Sequence, residues 1–144
     1  MTSRLIDSLY VEAMVLADEA RAYFDARDHA EREMLSPELR VTFACESLKV
    51  TTRLMHVVAW LLTRRAEMTG ELNRLEAAAP DRRLGFAAPS EPESIALLPK
   101  GARETIVASS DLYARVARLD GELGAPEPAS PARDLLGRLQ IVRF

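Results

Sequence analysis

Two long stretches without proline or glycine constrain this fold more than any other feature of the sequence. Apart from Pro37, neither residue type occurs before Gly70, and both resulting windows are rich in Ala, Leu, Glu, Arg and Met. These residues favour helix, whereas proline and glycine interrupt it. We therefore predict an all-α fold whose first two helices come from these windows.

The first helix is predicted to begin at Ser3, a possible N-cap, and to end near Arg27. Apolar residues recur in this stretch at spacings of three and four, which places them on one helix face. They are Leu5, Leu9, Ala13, Leu16, Ala20 and Tyr23. A polar stretch without an apolar period follows, so we expect a turn there.

The start and stop signals of the second and third helices are clearer. Ser36-Pro37 predicts the second start, because serine caps orphan N–H groups and proline fits the first helical turn. This helix should run to about Thr69, with Gly70 as a left-handed stop. A third helix is expected to open after Pro99 and to end near Gly121.

Proline also marks the segments that we expect to be irregular. Residues 80–98 contain three prolines and a glycine, which predicts a long irregular loop. Residues 124–144 begin with the proline-rich linker GAPEPASPA and end in RDLLGRLQIVRF, a short apolar and basic tail. The predicted fold is an antiparallel three-helix bundle over residues 1–123 with a long central helix, followed by the linker and a flexible C-terminal tail.

Composition and charge exclude several classes of protein. Nineteen Lys and Arg against twenty-two Asp and Glu give a net charge of -3, which argues against a nucleic-acid partner. The longest apolar run, residues 57–62, is far shorter than the roughly 20 residues that cross a bilayer, so we expect no membrane partner. The N-terminal residues show no apolar core of a signal peptide. We therefore expect a cytoplasmic protein.

The predicted second helix carries more apolar surface than a three-helix bundle needs. Its apolar arc runs from Leu48 round to Val50 and Val57 on the opposite side and covers more than half of the circumference, whereas a surface helix usually shows about 100°. In one interpretation the other two helices cover this arc. In the other, a second subunit packs on one edge, and apolar residues opposite the main stripe of the first helix favour such a homodimer. These candidate interface residues are Val50, Leu54, Val57 and Leu61, with Val11, Met14 and Val15 on the first helix.

Catalytic and metal-binding patterns are not found in the sequence. The two histidines, His29 and His56, form no metal-binding pair, and we expect both at the surface. The single cysteine, Cys45, has no base near it in sequence and is expected to be a buried, inert thiol. We therefore predict a protein that is not an enzyme, without catalytic residues, cofactor or metal.

A polar strip follows the second helix and contains the single tryptophan. Tryptophan and arginine are frequent at binding hot spots, so the strip is a candidate protein-binding surface. Alternatively, Trp60 packs beneath the long loop or at the bundle edge. The candidate binding residues are Glu46, Lys49, Arg53, Trp60 and Arg64.

The stretch CESLKVTTRLMHVVAWLLTRRAEMTGEL, residues 45–72, resembles the signature helix of the regulator of CtrA degradation (RcdA) family. The matching elements are Glu46-Ser47-Leu48, Thr51 to Met55, Trp60-Leu61-Leu62 and Gly70-Glu71. The resemblance implies a three-helix bundle that tends to dimerise and has a flexible C-terminal tail. It also implies a bacterial adaptor, without catalytic residues, that brings regulatory cargo to the ClpXP protease together with other adaptor proteins.

The C-terminal tail has a likeness of its own. Leu139, Ile141, Val142 and Arg143 are similar to the short ClpX-docking peptide that ends the SspB adaptor, in which apolar residues are followed by a base. A disordered tail, or one that packs back on the bundle, is the alternative. For the whole chain, the alternatives to an adaptor are a DNA-associated helical transcription regulator and a small-molecule-binding bundle or unrecognised enzyme.

Overall fold

The computed structural model of the chain describes residues 2–25 and 30–124, and all regular structure in these residues is helical. Three helices are long: α1 (Ser3–Phe24), α3 (Pro37–Met68) and α6 (Lys100–Gly124). The short elements are α2 (Ala30–Glu33), α4 (Arg74–Ala77), a 3₁₀ turn (Pro80–Arg82) and α5 (Pro92–Ile95). The predicted all-α class with a long central helix is confirmed.

Side-chain caps fix where α1 and α3 begin. The hydroxyl of Thr2 accepts a hydrogen bond from the N–H of Leu5 at 3.2 Å, so the N-cap lies one residue before the predicted Ser3. The hydroxyl of Ser36 accepts from the N–H of Leu39 at 3.3 Å, which confirms the predicted start of the second helix. Both caps satisfy an N–H group that has no partner inside its helix.

The helix ends agree with the predictions only in part. α1 ends at Phe24, and its predicted end near Arg27 lies outside the described residues. α3 ends at Met68, and Gly70 follows with φ of 82°, a left-handed conformation that glycine adopts without a steric cost. The predicted glycine stop is therefore confirmed. α6 continues to Gly124, three residues beyond its predicted end.

α1 runs antiparallel to both other long helices. In each pair, residues near the end of α1 meet the start of the partner helix, and residues near the start of α1 meet its later turns. The contacts are Phe24 with Phe43 and Asp7 with Arg65 for α3, and Tyr23 with Gly101 and Glu12 with Arg115 for α6.

α3 and α6 are parallel, which corrects the prediction of an antiparallel bundle. Arg53 contacts Ser109, and Trp60, two turns further along α3, contacts Asp120, which also lies further along α6. Two parallel helices need a connection that returns along their full length. Residues 70–99, hereafter the return segment, make this connection.

The return segment runs back along α3 and α6 and contacts both. Its successive residues contact progressively earlier residues of the two helices. These contacts are Ala77 with Arg64, Arg83 with Asp120, Gly85 with Tyr113, Ala88 with Arg53, and Pro89 with Lys49. The predicted irregular loop over residues 80–98 is therefore corrected in part, because it contains a 3₁₀ turn and the short helix α5.

The core lies where the three long helices meet, and it includes the edge of α3 that we considered for a second subunit. Val50, Leu54, Val57 and Leu61 are all buried, with at most 5% of any side chain exposed. They belong to one cluster with Ile6, Leu9 and Ala13 of α1 and Ile106, Leu112 and Val116 of α6. Placing these four α3 residues in a dimer interface is therefore wrong, because the chain's own helices already cover them.

Candidate protein-interaction surface

The polar strip of α3 is buried beneath the return segment. Glu46, Arg53 and Trp60 are each 2% exposed, Arg64 is 5% exposed and Lys49 is half-buried. The expectation of an exposed binding surface is therefore wrong. The physical reason is that the return segment has little regular structure of its own, so its backbone carbonyls need donors, and the strip supplies them.

Arg53 connects three parts of the molecule. Its guanidinium donates to the hydroxyl of Ser109 on α6 at 3.1 Å and to the carbonyl of Ala88 at 3.0 Å, and it also donates to the Ser90 hydroxyl. Burial lowers the pKa of Arg53, and the nearby carboxylate of Glu46 partly offsets this shift. Arg53 therefore holds α3, α6 and the return segment together.

Glu46 and Lys49 extend this network by one turn of α3. The ammonium group of Lys49 donates to Glu46 at 3.1 Å and to the carbonyl of Pro89 at 3.2 Å, and the Ser90 hydroxyl donates to Glu46. A buried carboxylate is tolerated when it is paired and hydrogen-bonded in this way. These two residues therefore anchor the return segment and do not offer a free charged surface.

Trp60 anchors the opposite end of the return segment. Its indole N–H donates to Asp120 at 2.9 Å, and Arg83 donates to the same carboxylate oxygen at 2.8 Å. Burial tends to raise the pKa of Asp120, but the donors Arg83 and Trp60 outweigh it and hold the pKa below its ordinary 3.8. The guanidinium of Arg64 lies 5.3 Å from the indole centre and donates to the carbonyl of Ala77. Trp60 thus lies beneath the loop, as one of the two sequence interpretations expected.

An apolar groove lies between α1 and α3, on the side of α3 opposite the buried strip. It encloses about 710 Å³. Residues of α3 supply most of its lining, and α1 supplies the second wall. The lining residues are Ala17, Ala20, Arg21 and Phe24 of α1 and its C-cap residue Asp25, with Ser47, Leu48, Thr51, Leu54, Met55, Val58, Ala59 and Leu62 of α3.

An exposed row of four large apolar side chains runs along α3, and the last three of them line this groove. Val41, Leu48, Met55 and Leu62, hereafter the heptad row, follow one another at intervals of seven residues, and 46–68% of each is exposed. Seven-residue spacing is typical of helices that pack along their length against another helix. The predicted excess of apolar surface on this helix is therefore real, but it lies on the Leu48 side and not on the Val50 side.

A second exposed apolar set lies on the outer face of α1. Val11 is 61% exposed, Val15 is 51% exposed and Met14 is 38% exposed. The structure places these side chains at the surface, as the sequence pattern indicated. Their role in a dimer interface stays a prediction.

The charged residues of the groove lie on its α1 wall. Arg21 and Asp25 line the groove, and Asp18 is exposed one helical turn before Arg21. Within residues 2–25 and 30–124, neither Asp18 nor Asp25 takes part in an ion pair. The groove therefore combines an apolar α3 wall with an α1 wall that carries Arg21 and Asp25, with Asp18 exposed nearby.

Cys45 and the histidines complete the list of sequence candidates. Cys45 is exposed on α3, so the expectation of a buried thiol is wrong. His56 is half-buried against Gly85, and His29 lies outside the described residues. In the part of the chain that the structure describes, no three His, Cys, Asp or Glu side chains are grouped to hold a metal ion, and no helix has the length and apolar character to cross a bilayer.

The fold and the groove together define a class of protein. The chain is an all-helical bundle with a long central helix, whose described surface includes an apolar groove with an exposed heptad row.

Comparison with known proteins identifies the family. A family model described as "Protein of unknown function (DUF1465)" matches residues 1–142, so the chain belongs to that family. The crystal structure of RcdA from Caulobacter crescentus CB15 is similar, with 33% sequence identity and a TM-score of 0.68. The match covers 85% of this chain and 93% of that chain, so the chain is RcdA-like and the resemblance of its central helix is confirmed. No functionally curated protein matches the sequence.

Proposed function

We propose that the chain is an adaptor that delivers regulatory proteins to the ClpXP protease in the cytoplasm, in cell-cycle control. The RcdA-like sequence and fold support this proposal, because adaptor activity is what the resemblance implies. The proposed role needs no bond chemistry. An adaptor acts by raising the local concentration of its cargo near the protease, together with other adaptor proteins.

The heptad row is the observation that carries the proposal. Leu48, Met55 and Leu62 lie exposed along a groove long enough to receive an amphipathic helix of a cargo protein. Apolar anchors at intervals of three, four and seven residues are how such helices dock into grooves. Large exposed apolar patches are rare on proteins that have no binding partner, so the exposed row indicates a binding site.

The C-terminal residues have a separate part in the proposal. Leu139, Ile141, Val142 and Arg143 lie outside the described residues, and their proposed docking on ClpX rests on the sequence likeness. Deletion of residues 139–144 should weaken association with ClpX and leave the helical circular dichroism spectrum unchanged. Undiminished association would remove the tail from the proposal.

We assign the proposed homodimer to the outer face of α1. Val11, Met14 and Val15 remain available there, whereas the α3 edge that we had also considered is buried. Sedimentation equilibrium should give twice the chain mass for the wild type and the chain mass for a Val11→Glu, Val15→Glu variant. A dimer mass that persists in this variant would place the interface elsewhere.

The DNA-binding alternative gains no support from the groove. A surface that holds duplex DNA needs clustered Lys and Arg. The groove is lined mainly by apolar side chains, and Arg21 is the one basic residue among those that line it.

The test of the proposed function compares two matched double variants. Leu48→Glu with Met55→Glu places charge in the groove, and Leu97→Glu with Val107→Glu places it on apolar side chains that are exposed away from the groove. We expect affinity capture from the native cell to recover ClpX and a transcription regulator with the wild type and with the control. The groove variant should lose the regulator.

Degradation of the recovered regulator is then measured with purified ClpXP, with and without the chain. We expect the wild type and the control to accelerate degradation, and the groove variant to have no effect. If the wild-type chain leaves the degradation rate unchanged, the adaptor proposal is wrong. If the groove variant accelerates degradation as well as the wild type does, the groove is not the cargo site.

A further inference from the structure

We propose that the chain's own C-terminal segment, residues 133–144, occupies the groove between α1 and α3 and excludes partner helices from it. This inference deepens the proposed function and rests on it, because it concerns regulation of the same groove. It combines the place where α6 ends, the length of chain that follows, and the complementary character of the segment and the groove.

α6 ends at the end of the bundle where Leu62 lines the groove. Asp120, in the last turns of α6, accepts a hydrogen bond from Trp60. Trp60 is two residues before Leu62, which lines the groove. The chain therefore leaves α6 level with one end of the groove, on the other side of α3.

The linker is long enough to cross the end of the bundle. Neighbouring helix axes are about 8–10 Å apart, so a path over the bundle end to the opposite groove measures roughly 20 Å. Residues 125–132 include three prolines, and a proline-rich stretch of this length spans about 25 Å. The segment that follows can thus enter the groove at Leu62 and continue toward Leu48.

The length of the segment matches the length of the groove. Leu48 and Leu62 are fourteen residues apart on one helix, which is about 21 Å. Residues 133–144 would measure about 18 Å as a helix. Leu135, Leu136, Leu139 and Val142 stand at positions i, i+1, i+4 and i+7, a spacing that would place them on one helix face toward the heptad row.

Charge complementarity favours the same occupant. The segment contains three arginines against one aspartate. On the α1 side, Asp25 and Arg21 line the groove and Asp18 is exposed one turn before Arg21, while the heptad row offers no charge. A basic, apolar segment tethered to the same molecule therefore meets an apolar wall whose α1 side carries the carboxylate of Asp25 beside the guanidinium of Arg21. The tether also gives it a high effective concentration.

The chain provides its own probe for this arrangement. Cys45 is its single cysteine, is exposed, and lies on α3 one turn before Leu48. A nitroxide spin label on Cys45 of the full chain should broaden the amide NMR signals of residues 139–144 far more than those of residues 125–132. The direction is specific, because the end of the segment should lie at the Cys45 end of the groove.

Two controls separate this inference from other outcomes. Leu48→Glu with Met55→Glu should abolish the broadening, whereas Leu97→Glu with Val107→Glu should keep it. In a second control, chain that carries the spin label but no ¹⁵N is mixed with ¹⁵N-enriched chain that carries no spin label. The signals of the segment should not broaden in this mixture, because the contact is within one molecule. Broadening in that mixture would overturn the inference in favour of a second copy, and equal signals throughout residues 125–144 would overturn it entirely.

The effect of the segment on partner binding can be tested separately from the adaptor role. A segment that occupies the groove about nine-tenths of the time weakens partner binding roughly tenfold. Deletion of residues 133–144 should therefore tighten binding of the regulator recovered by affinity capture by about this factor. Tight binding that the deletion does not change would contradict self-occupancy and leave the adaptor proposal standing. A chain that binds no regulator with or without the segment would contradict the adaptor proposal.

Discussion

Gly85 offers a sharp test of how the return segment packs on α3. A Cβ atom at this position would lie 2.1 Å from Nδ1 of His56 and 2.8 Å from its Cγ, far inside van der Waals contact. The backbone at Gly85 cannot easily retreat, because its carbonyl accepts a hydrogen bond of 2.7 Å from the hydroxyl of Tyr113. Gly85→Ala therefore has to displace the whole imidazole ring.

The free energy of unfolding should fall, and the size of the fall can be worked out. Overpacking of this kind costs about 1–3 kcal/mol. Gly85 does not have a positive φ, so alanine adds no backbone strain there. A Gly→Ala change at a compatible position also restricts the unfolded chain and stabilises by about 0.4–1 kcal/mol. We expect Gly85→Ala to destabilise the protein by a net amount of about 1–2 kcal/mol.

The decisive measurement is a double-mutant cycle with His56→Ala, read from urea denaturation midpoints. Without the imidazole, Gly85→Ala should change sign and stabilise by about 0.4–1 kcal/mol, because the unfolded-state effect alone remains. Gly121→Ala is the control, since no atom lies within 4 Å of a Cβ there and α6 should gain helix propensity. An equal loss of stability from Gly85→Ala in both His56 backgrounds would refute the reasoning.

Three further predictions follow from the contacts of α3. Arg53→Met, which leaves the buried carbonyl of Ala88 without its donor, should destabilise by about 1–3 kcal/mol in urea denaturation and raise hydrogen exchange in the return segment. Because the pKa of Asp120 is lowered in the fold, its carboxylate contributes stability above pH 4 that is lost as pH falls through the folded pKa. In Asp120→Asn, unfolding free energy should therefore depend less steeply on pH below about 4, as acid titrations of thermal unfolding would show. Leu48→Ser and Met55→Ser, at exposed positions, should each change stability by less than about 0.5 kcal/mol while weakening partner capture.

The sequence predicted the long helices well because their signals are local. The Ser36-Pro37 start and the Gly70 stop depend on capping and on backbone conformation within a few residues. The parallel arrangement of α3 and α6 could not be predicted in this way. A connection of thirty residues is long enough to return along the bundle or to loop out at one end, and local patterns do not distinguish these paths.

The burial of the polar strip was missed for a related reason. A sequence does not show whether a charged side chain such as Glu46, Arg53 or Arg64 forms its hydrogen bonds with water or with another segment of the chain. A usable signal did exist, since donors recur at helical spacing on α3 and the chain later contains a proline-rich stretch that forms few internal hydrogen bonds. Backbone carbonyls that are buried without regular structure need side-chain donors, and this requirement links the two features.

Topology explains why neither the return segment nor α6 covers the groove between α1 and α3. Because α3 and α6 are parallel, the chain between them has to travel the length of the bundle, and it does so along the side of α3 that carries Arg53 and Trp60. α1 ends and α3 begins at the same end of the bundle, so the chain between them does not have to return along the helices. One side of α3 is therefore covered by the return segment and another by the core, while the heptad row stays exposed. This division separates the two kinds of substitution: changes beneath the return segment should alter stability, and changes on the heptad row should alter binding.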